Sequence, residues 1–302
     1  LVASARSVAQ GLADPDPAAN VGLVLGAWLA AGVEAGRDKA TIVVDDRVEA
    51  FGLWLEQLLA ESTGKQGTGV IPIVGEALGT VDAYGDDRLF VSIGDVDQAV
   101  GLDVLADAGH PVLALDVDDP LQLGAHVLIW EVATALCGAA IGIQPFDQPN
   151  VAEAKEATNQ VLAGGDPPGP GPSLDELLAQ VRPGDYLAVQ AYVDPDDEVV
   201  TALEDARLGL RDELRVATTF GLGPRFLHST GQLHKGGPPT GVFVQIVGED
   251  RTDAEIPGRG FGFSRLKHAQ ADGDLLTLRH HGLRVARVAA ADLIDRHQEE
   301  GA

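Results

Sequence analysis

Short, unbroken apolar runs rich in β-branched residues, set between stretches of helical spacing, narrow the folds open to this chain more than any other feature. Ala40-Thr41-Ile42-Val43-Val44 lacks the polar–apolar alternation of a strand wet on one face. Such a run fits a strand covered on both faces, and strands of that kind belong to parallel sheets flanked by helices. Residues 70–74, 88–93 and 111–115 repeat the signature. Residues 21–35, 48–61, 95–108 and 123–141 read as the intervening helices. On the second of these, Phe51, Trp54, Leu55, Leu58 and Leu59 form an apolar stripe. Strands alternating with helices predict an α/β fold built on a doubly wound parallel sheet.

The alternation resumes after an interruption. Gly164-Gly165-Asp166-Pro167-Pro168-Gly169-Pro170-Gly171-Pro172 can sustain neither helix nor sheet and reads as a surface linker. Ser173 is placed to cap a new helix that starts at Leu174. Beyond it, residues 186–192, 216–220, 240–247 and 284–288 read as strands, and 197–214 and 265–280 as helices. The expected organisation is a first domain over 1–163, a linker with a short helix over 164–182, and a smaller α/β module over 183–302. No repeat of the solenoid kind is visible.

At 302 residues the chain is long enough for two cores. Its formal charge of −25, from 21 Lys+Arg against 46 Asp+Glu, argues against nucleic acid and anionic membranes as partners, because phosphate contacts require clustered cations. An anionic small molecule stays open wherever a few cations gather. The single cysteine, Cys137, excludes a disulfide framework within the chain and suits a reducing, cytoplasmic setting. No apolar run is expected to span a membrane, and the start lacks the pattern of a signal peptide. The chain begins at Leu1 and contains no methionine, so it is expected to be part of a longer protein.

Three polar, glycine-rich segments stand out. Glu61-Ser62-Thr63-Gly64-Lys65-Gln66-Gly67 ends an amphipathic helix; it lacks the spacing of a nucleotide P-loop and follows a helix instead of a strand. Its plain reading is a helix end capped by Gly64, with Lys65 set against the dipole. Pro145-Phe146-Asp147-Gln148-Pro149-Asn150 is a polar turn between helices. Asn150 is a candidate cap there, and Lys155 lies one turn in, where the helix dipole disfavours a cation. The third segment, 226–237, gathers His228, His234, Gln232, Lys235 and two hydroxyls. Its histidines, six apart without Cys or acidic partners at ligand spacing, make a poor zinc site. Acid–base chemistry or sugar-hydroxyl binding fits better. His280-His281 reads as surface or capping, and Cys137, in an apolar helix without an activating base nearby, as core.

The runs at 36–39 (Gly-Arg-Asp-Lys), 54–65 (ending Glu-Ser-Thr-Gly-Lys), 130–135, 142–150 (Gly-Ile-Gln-Pro-Phe-Asp-Gln-Pro-Asn) and 223–238 (containing His-Ser-Thr-Gly-Gln-Leu-His-Lys-Gly-Gly) together resemble the glucose-6-phosphate isomerase family. The likeness is to the form found in actinobacteria and in bifunctional transaldolase–isomerase chains. It implies an aldose–ketose isomerase built of three-layer sugar-isomerase (SIS) domains, dimeric, and needing no metal, nucleotide or other cofactor. By resemblance Glu61 is the base that carries a proton between C2 and C1, and Gln57, one helical turn earlier, binds substrate. Ser62, Thr63 and Lys65 join the substrate-binding set. Gln148 binds sugar or phosphate oxygens, and Lys155 assists ring opening and holds the substrate. His228 is matched to ring opening, with His234 as a neighbour or substitute, although the order of segments departs from the family's. No arginine stands near Asn20-Val21-Gly22, so Arg225, Lys235 or another part of the protein is the expected replacement.

The same resemblance makes 1–163 a second SIS domain and 183–302 a C-terminal module. The Ser/Thr-rich phosphate loop of a first SIS domain is not found. The implied partners are a phosphosugar substrate, a second copy of the chain, and the N-terminal first SIS domain of a parent protein, with the chain alone weakly active or inactive. Two other readings stand beside this one: a non-catalytic phosphosugar-binding module, since SIS folds also serve sensors, and a structural half that completes a dimer. Gln57, Glu61, Gln148 and Lys155 together favour catalysis, because binding alone needs no carboxylate.

Overall fold

A computed structural model describes the whole chain except Asp97, Pro170, Asp196, Asp197, Gly301 and Ala302, and describes Val151, Ala152, Glu299 and Glu300 by backbone alone. The elements fall into two compact units, Leu1–Gln148 with Gly236–Pro238 and Pro149–Lys235 with Pro239–Ala302. The first holds α1 (Val2–Ala9), α2 (Val21–Glu34), β1 (Lys39–Val44), α3 (Ala50–Thr63), β2 (Ile71–Val74), β3 (Arg88–Ile93), α4 (Ala99–Asp107), β4 (Val112–Leu115) and α5 (Leu123–Ala140). Its four strands are all parallel in the order β2-β1-β3-β4.

The unbroken apolar runs are explained by two covered faces. Ala40 and Ile42 of β1, with Leu89, Val91 and Ile93 of β3, turn to a core shared with Leu25 and Leu29 of α2, Leu55 and Leu59 of α3 and Trp130 of α5. The alternate positions, Val43 and Phe90, join Leu102 and Leu105 of α4 on the other side. Pro72 is tolerated because β2 is an edge strand. One expectation is overturned. Pro120–Ala140 forms 21 continuous helical residues of mean hydropathy 1.5, long and apolar enough to cross a membrane by length and composition. Here it is a core helix, with Trp130, Ala133 and Cys137 wholly buried. It packs on α2 so closely that a Cβ at Gly26 would stand 2.6 Å from the Ala133 carbonyl oxygen.

The second unit holds α6 (Val151–Leu162), α7 (Leu174–Leu178), β5 (Tyr186–Tyr192), α8 (Val199–Leu214), β6 (Ala217–Leu222), α9 (Gly231–Gly236), β7 (Gly241–Val247), α10 (Phe263–His280), β8 (Arg284–Val288) and α11 (Ala290–Glu300). Its parallel sheet runs β6-β5-β7-β8, the same order as in the first unit. The sequence suggested a smaller module here; the structure has a sheet of equal strand number. Leu187, Val189 and Ala191 of β5 and Val242, Val244 and Ile246 of β7 face Leu177 of α7, Leu203 and Leu210 of α8 and Leu293 of α11. The sequence placed residues 151–162 before the linker, with the first domain, but α6 lies with the second unit. Gly273 of α10 makes room for it: a Cβ there would come within 2.7 Å of the Thr158 nitrogen.

Ser173 caps α7 through a full capping box with Glu176. The helix expected from 197 is observed from Val199; Asp197 itself lies outside the described residues, as do Pro170 of the expected linker and Asp97 of the helix expected over 95–108. Neither α1 nor α11 is foreseen from the sequence.

Candidate functional site

The last two turns of α3 present a carboxylate because the helix buries the opposite side. Leu55, Leu59 and Ala60 are fully buried, each leucine contributing about 2 kcal/mol of apolar burial. Gln57 is exposed and Glu61 half-buried, four residues apart on one face. Gln57 Nε2 donates to Glu61 Oε2 at 3.4 Å, and Gln148 Nε2, from far along the chain, donates to the same oxygen at 3.1 Å. The structure therefore brings together three of the residues singled out by sequence. Two amides converging on one carboxylate oxygen set its orientation and leave it an acceptor, as a positioned base requires.

The neighbouring motif residues explain why that geometry holds. Lys65 is almost wholly buried, and its Nζ donates to the Gln144 carbonyl at 2.9 Å and pairs with Asp147 Oδ1 at 3.1 Å. Its charge therefore pins the turn that delivers Gln148, instead of meeting the helix dipole as the plain reading had it. Thr63 is buried: its hydroxyl donates to the Leu59 carbonyl at 2.7 Å and accepts from the Val70 N–H at 2.9 Å, latching α3 to the run into β2. Ser62 is half-buried on the same final turn.

The remaining candidates belong to the second unit. Lys155 is exposed on α6, and His228 is exposed at the end of a 3-10 turn, Arg225–His228. His234 on α9 is buried, its ring among Tyr186, Phe226 and Phe243, with Gln190 Nε2 on its Nδ1 at 3.1 Å. Burial, reinforced by the nearby Lys235 charge, pushes the His234 imidazole well below its ordinary value and keeps it neutral. Lys235, weighed as a replacement cation, is spent on Asp274 at 2.6 Å, both side chains buried. Arg225 is exposed. Among the described residues, no hydrogen bond links Lys155, His228 and His234 to one another.

Asn150 does stand at the N-cap of α6 but makes no capping bond to its own helix. Its Oδ1 accepts from Gln232 Nε2 at 2.8 Å and its N–H donates to Gln232 Oε1 at 3.0 Å. Neither Gln232 nor Asp274 was given a role of its own from sequence; Gln232 stood only as one of the polar residues of 226–237, and Asp274 lies between Gly273 and Leu275 on α10. His281 meets Glu153 at 2.8 Å at the surface, and Cys137 is core, its thiol pushed up to about 12 by burial. Among the described residues no three His, Cys, Asp or Glu side chains group as metal ligands.

Fold and site define an α/β protein of two doubly wound units, one bearing an amide-braced carboxylate. No protein-family model matches the chain. It is similar to a probable glucose-6-phosphate isomerase of Halobacterium salinarum, at 28% identity over 162 residues that cover 40% of this chain and 38% of that protein. A second, from Haloarcula marismortui and bearing the same description, is 29% identical over 172 residues, covering 43% and 39%. The match thus spans about two fifths of these curated relatives. Among solved structures, a hypothetical protein of Thermus thermophilus aligns with 98% of this chain and 86% of its own at 18% identity, with a TM-score of 0.34, too low to bear on fold or function.

Proposed function

We propose that the chain carries the base and part of the substrate site of an aldose–ketose isomerase that interconverts glucose 6-phosphate and fructose 6-phosphate. The observation that carries this reading is the Glu61 carboxylate braced by Gln57 and Gln148 on one oxygen. Similarity at 28–29% to proteins described as probable glucose-6-phosphate isomerases supports it.

In this reading Glu61 removes the C2 proton of the open-chain aldose, and the electron pair forms a cis-enediolate across C1 and C2. The same carboxylate returns the proton to C1 on the same face, while the hydroxyl proton passes from O2 to O1. Atoms and charge balance with no redox partner. Gln57 and Gln148 hold the carboxylate and share hydrogen bonds with sugar oxygens; Lys155 and His228 serve ring opening. SIS-type domains, a homodimer and a parent protein with a further N-terminal SIS domain complete the proposal.

The test pairs turnover with binding. Glu61→Gln keeps the shape and removes the base, so isomerisation by the full-length parent should fall by about 10²–10⁴-fold while a titrated phosphosugar still binds. Full turnover by Glu61→Gln overturns the assignment of the base. Phosphosugar binding by the chain without any turnover in the unsubstituted full-length parent favours the non-catalytic module instead.

A further inference from the structure

We propose that Gln232 is a positioning residue: its paired hydrogen bonds with Asn150 fix the first turn of α6 on the 225–236 segment, and so set where Lys155 stands relative to His228. For what Lys155 does, this rests on the isomerase reading above. How Lys155 is held follows from the second unit alone.

A helix start normally takes a side-chain acceptor from its own N-cap residue, and α6 does without one. Asn150 turns its amide to Gln232 and exchanges two bonds with it, at 2.8 and 3.0 Å. The Gln232 amide donates to Asn150 Oδ1 and accepts from the Asn150 backbone N–H, so one orientation of that amide meets both bonds. Gln232 is 1% exposed, and a buried amide that loses its partner carries a desolvation penalty. Its own helix, α9, is anchored in turn by Lys235 on Asp274 of α10 at 2.6 Å.

From the other side α10 grips α6 at Gly273, where the Thr158 backbone leaves no room for a Cβ. His281, just past α10, holds Glu153 at 2.8 Å. Lys155 lies between these two anchorages, exposed on α6. The close fit at Gly273 sets how near α6 lies to α10, and the amide pair fixes where its first turn starts. A reacting group displaced by about 1 Å loses up to about 10²-fold in rate, which makes such a clamp consequential for a side chain it never touches.

The experiment uses the full chain and two readouts, amide hydrogen exchange at residues 150–154 and isomerase kinetics. Gln232→Leu removes both bonds at similar volume; exchange at 150–154 should quicken, and kcat should fall, each about tenfold, with KM little moved. Gln232→Glu and Asn150→Asp each keep a bonded pair and should stay near the parent in both readouts. The double variant sets two carboxylates against each other and should reproduce the loss. Unchanged exchange in Gln232→Leu overturns the clamp, and quickened exchange with unchanged kcat overturns its service to Lys155. Kinetics are read in the full-length parent; if that parent, unsubstituted, shows no turnover, the isomerase reading falls and Lys155's part with it, while exchange still decides the clamp.

Discussion

In the first unit the strands β1 and β3 bury Ala40, Ile42, Leu89, Val91 and Ile93 on one face and Val43 and Phe90 on the other. In the second, one face is as apolar, but the other carries Gln190, Gln245, His234, Lys235 and Asp274, all buried. The first unit also buries an ion pair, placed where β3 begins. Arg88 reaches both Glu76 oxygens at 3.1 Å, the Thr41 hydroxyl at 2.7 Å and the Tyr84 ring at 5.0 Å. The second unit's pair is leaner: Lys235 meets Asp274 and, at 3.4 Å, the Gly231 carbonyl, while Asp274 Oδ2 has no hydrogen-bond partner among the described residues. Two sheets of one strand order can thus be filled with different shares of polar side chains. The polar filling goes with the segment, 225–236, that carries the histidines.

The sharpest way to break this comparison is Lys235→Met, which leaves Asp274 charged, buried and alone, and should cost about 3–5 kcal/mol. Exchange of the β5 and β7 amides should quicken sharply. Trp28, Trp54 and Trp130 all lie in the first unit, so the midpoint of tryptophan fluorescence in urea should move less; equal movement of both signals would break the contrast. Adding Asp274→Leu should recover most of the loss.

A smaller effect is expected from pH. Folded His234 stays neutral well below its ordinary value, whereas the unfolded chain takes up a proton near pH 6.5. The stability tied to neutral His234 is therefore present above about pH 6.5 and lost below it, by about 1 kcal/mol per pH unit. Urea unfolding between pH 7.5 and 5 should fall more steeply for the parent than for His234→Gln, and parallel slopes would remove His234 from the account.

Effects of similar size and below are expected at the helix caps. Asn20 accepts from the Leu23 N–H and also donates to the Leu12 and Asp14 carbonyls, so Asn20→Ala should cost about 2 kcal/mol in the first unit. Ser173→Ala should cost about 1 kcal/mol in the second. Reversal of that order in thermal unfolding would show that the box with Glu176 carries more than the three hydrogen bonds of Asn20.

Much of the site around Glu61 was legible because it is local. Gln57 and Glu61 are one helical turn apart, and helical geometry alone puts them side by side. Thr63 and Lys65 were less legible: a polar residue beside a candidate base looks functional until burial shows its bonds already used. Asn150 was misread as a simple cap because residue type reveals a donor and an acceptor but not the partner 82 positions away.

The sequence by itself determined the α/β class and nearly every strand, since a strand covered on both faces must be apolar throughout. It also determined that one helix face would offer Gln57 and Glu61 together. Only the tertiary structure decided that Gln148 completes that carboxylate's setting, that 120–140 is a core helix despite its length and hydropathy, and that α6 lies with the second unit. These depend on which surfaces meet. Such meetings are set by packing between residues far apart in the chain, where a missing Cβ at Gly26 or Gly273 counts for more than any local propensity.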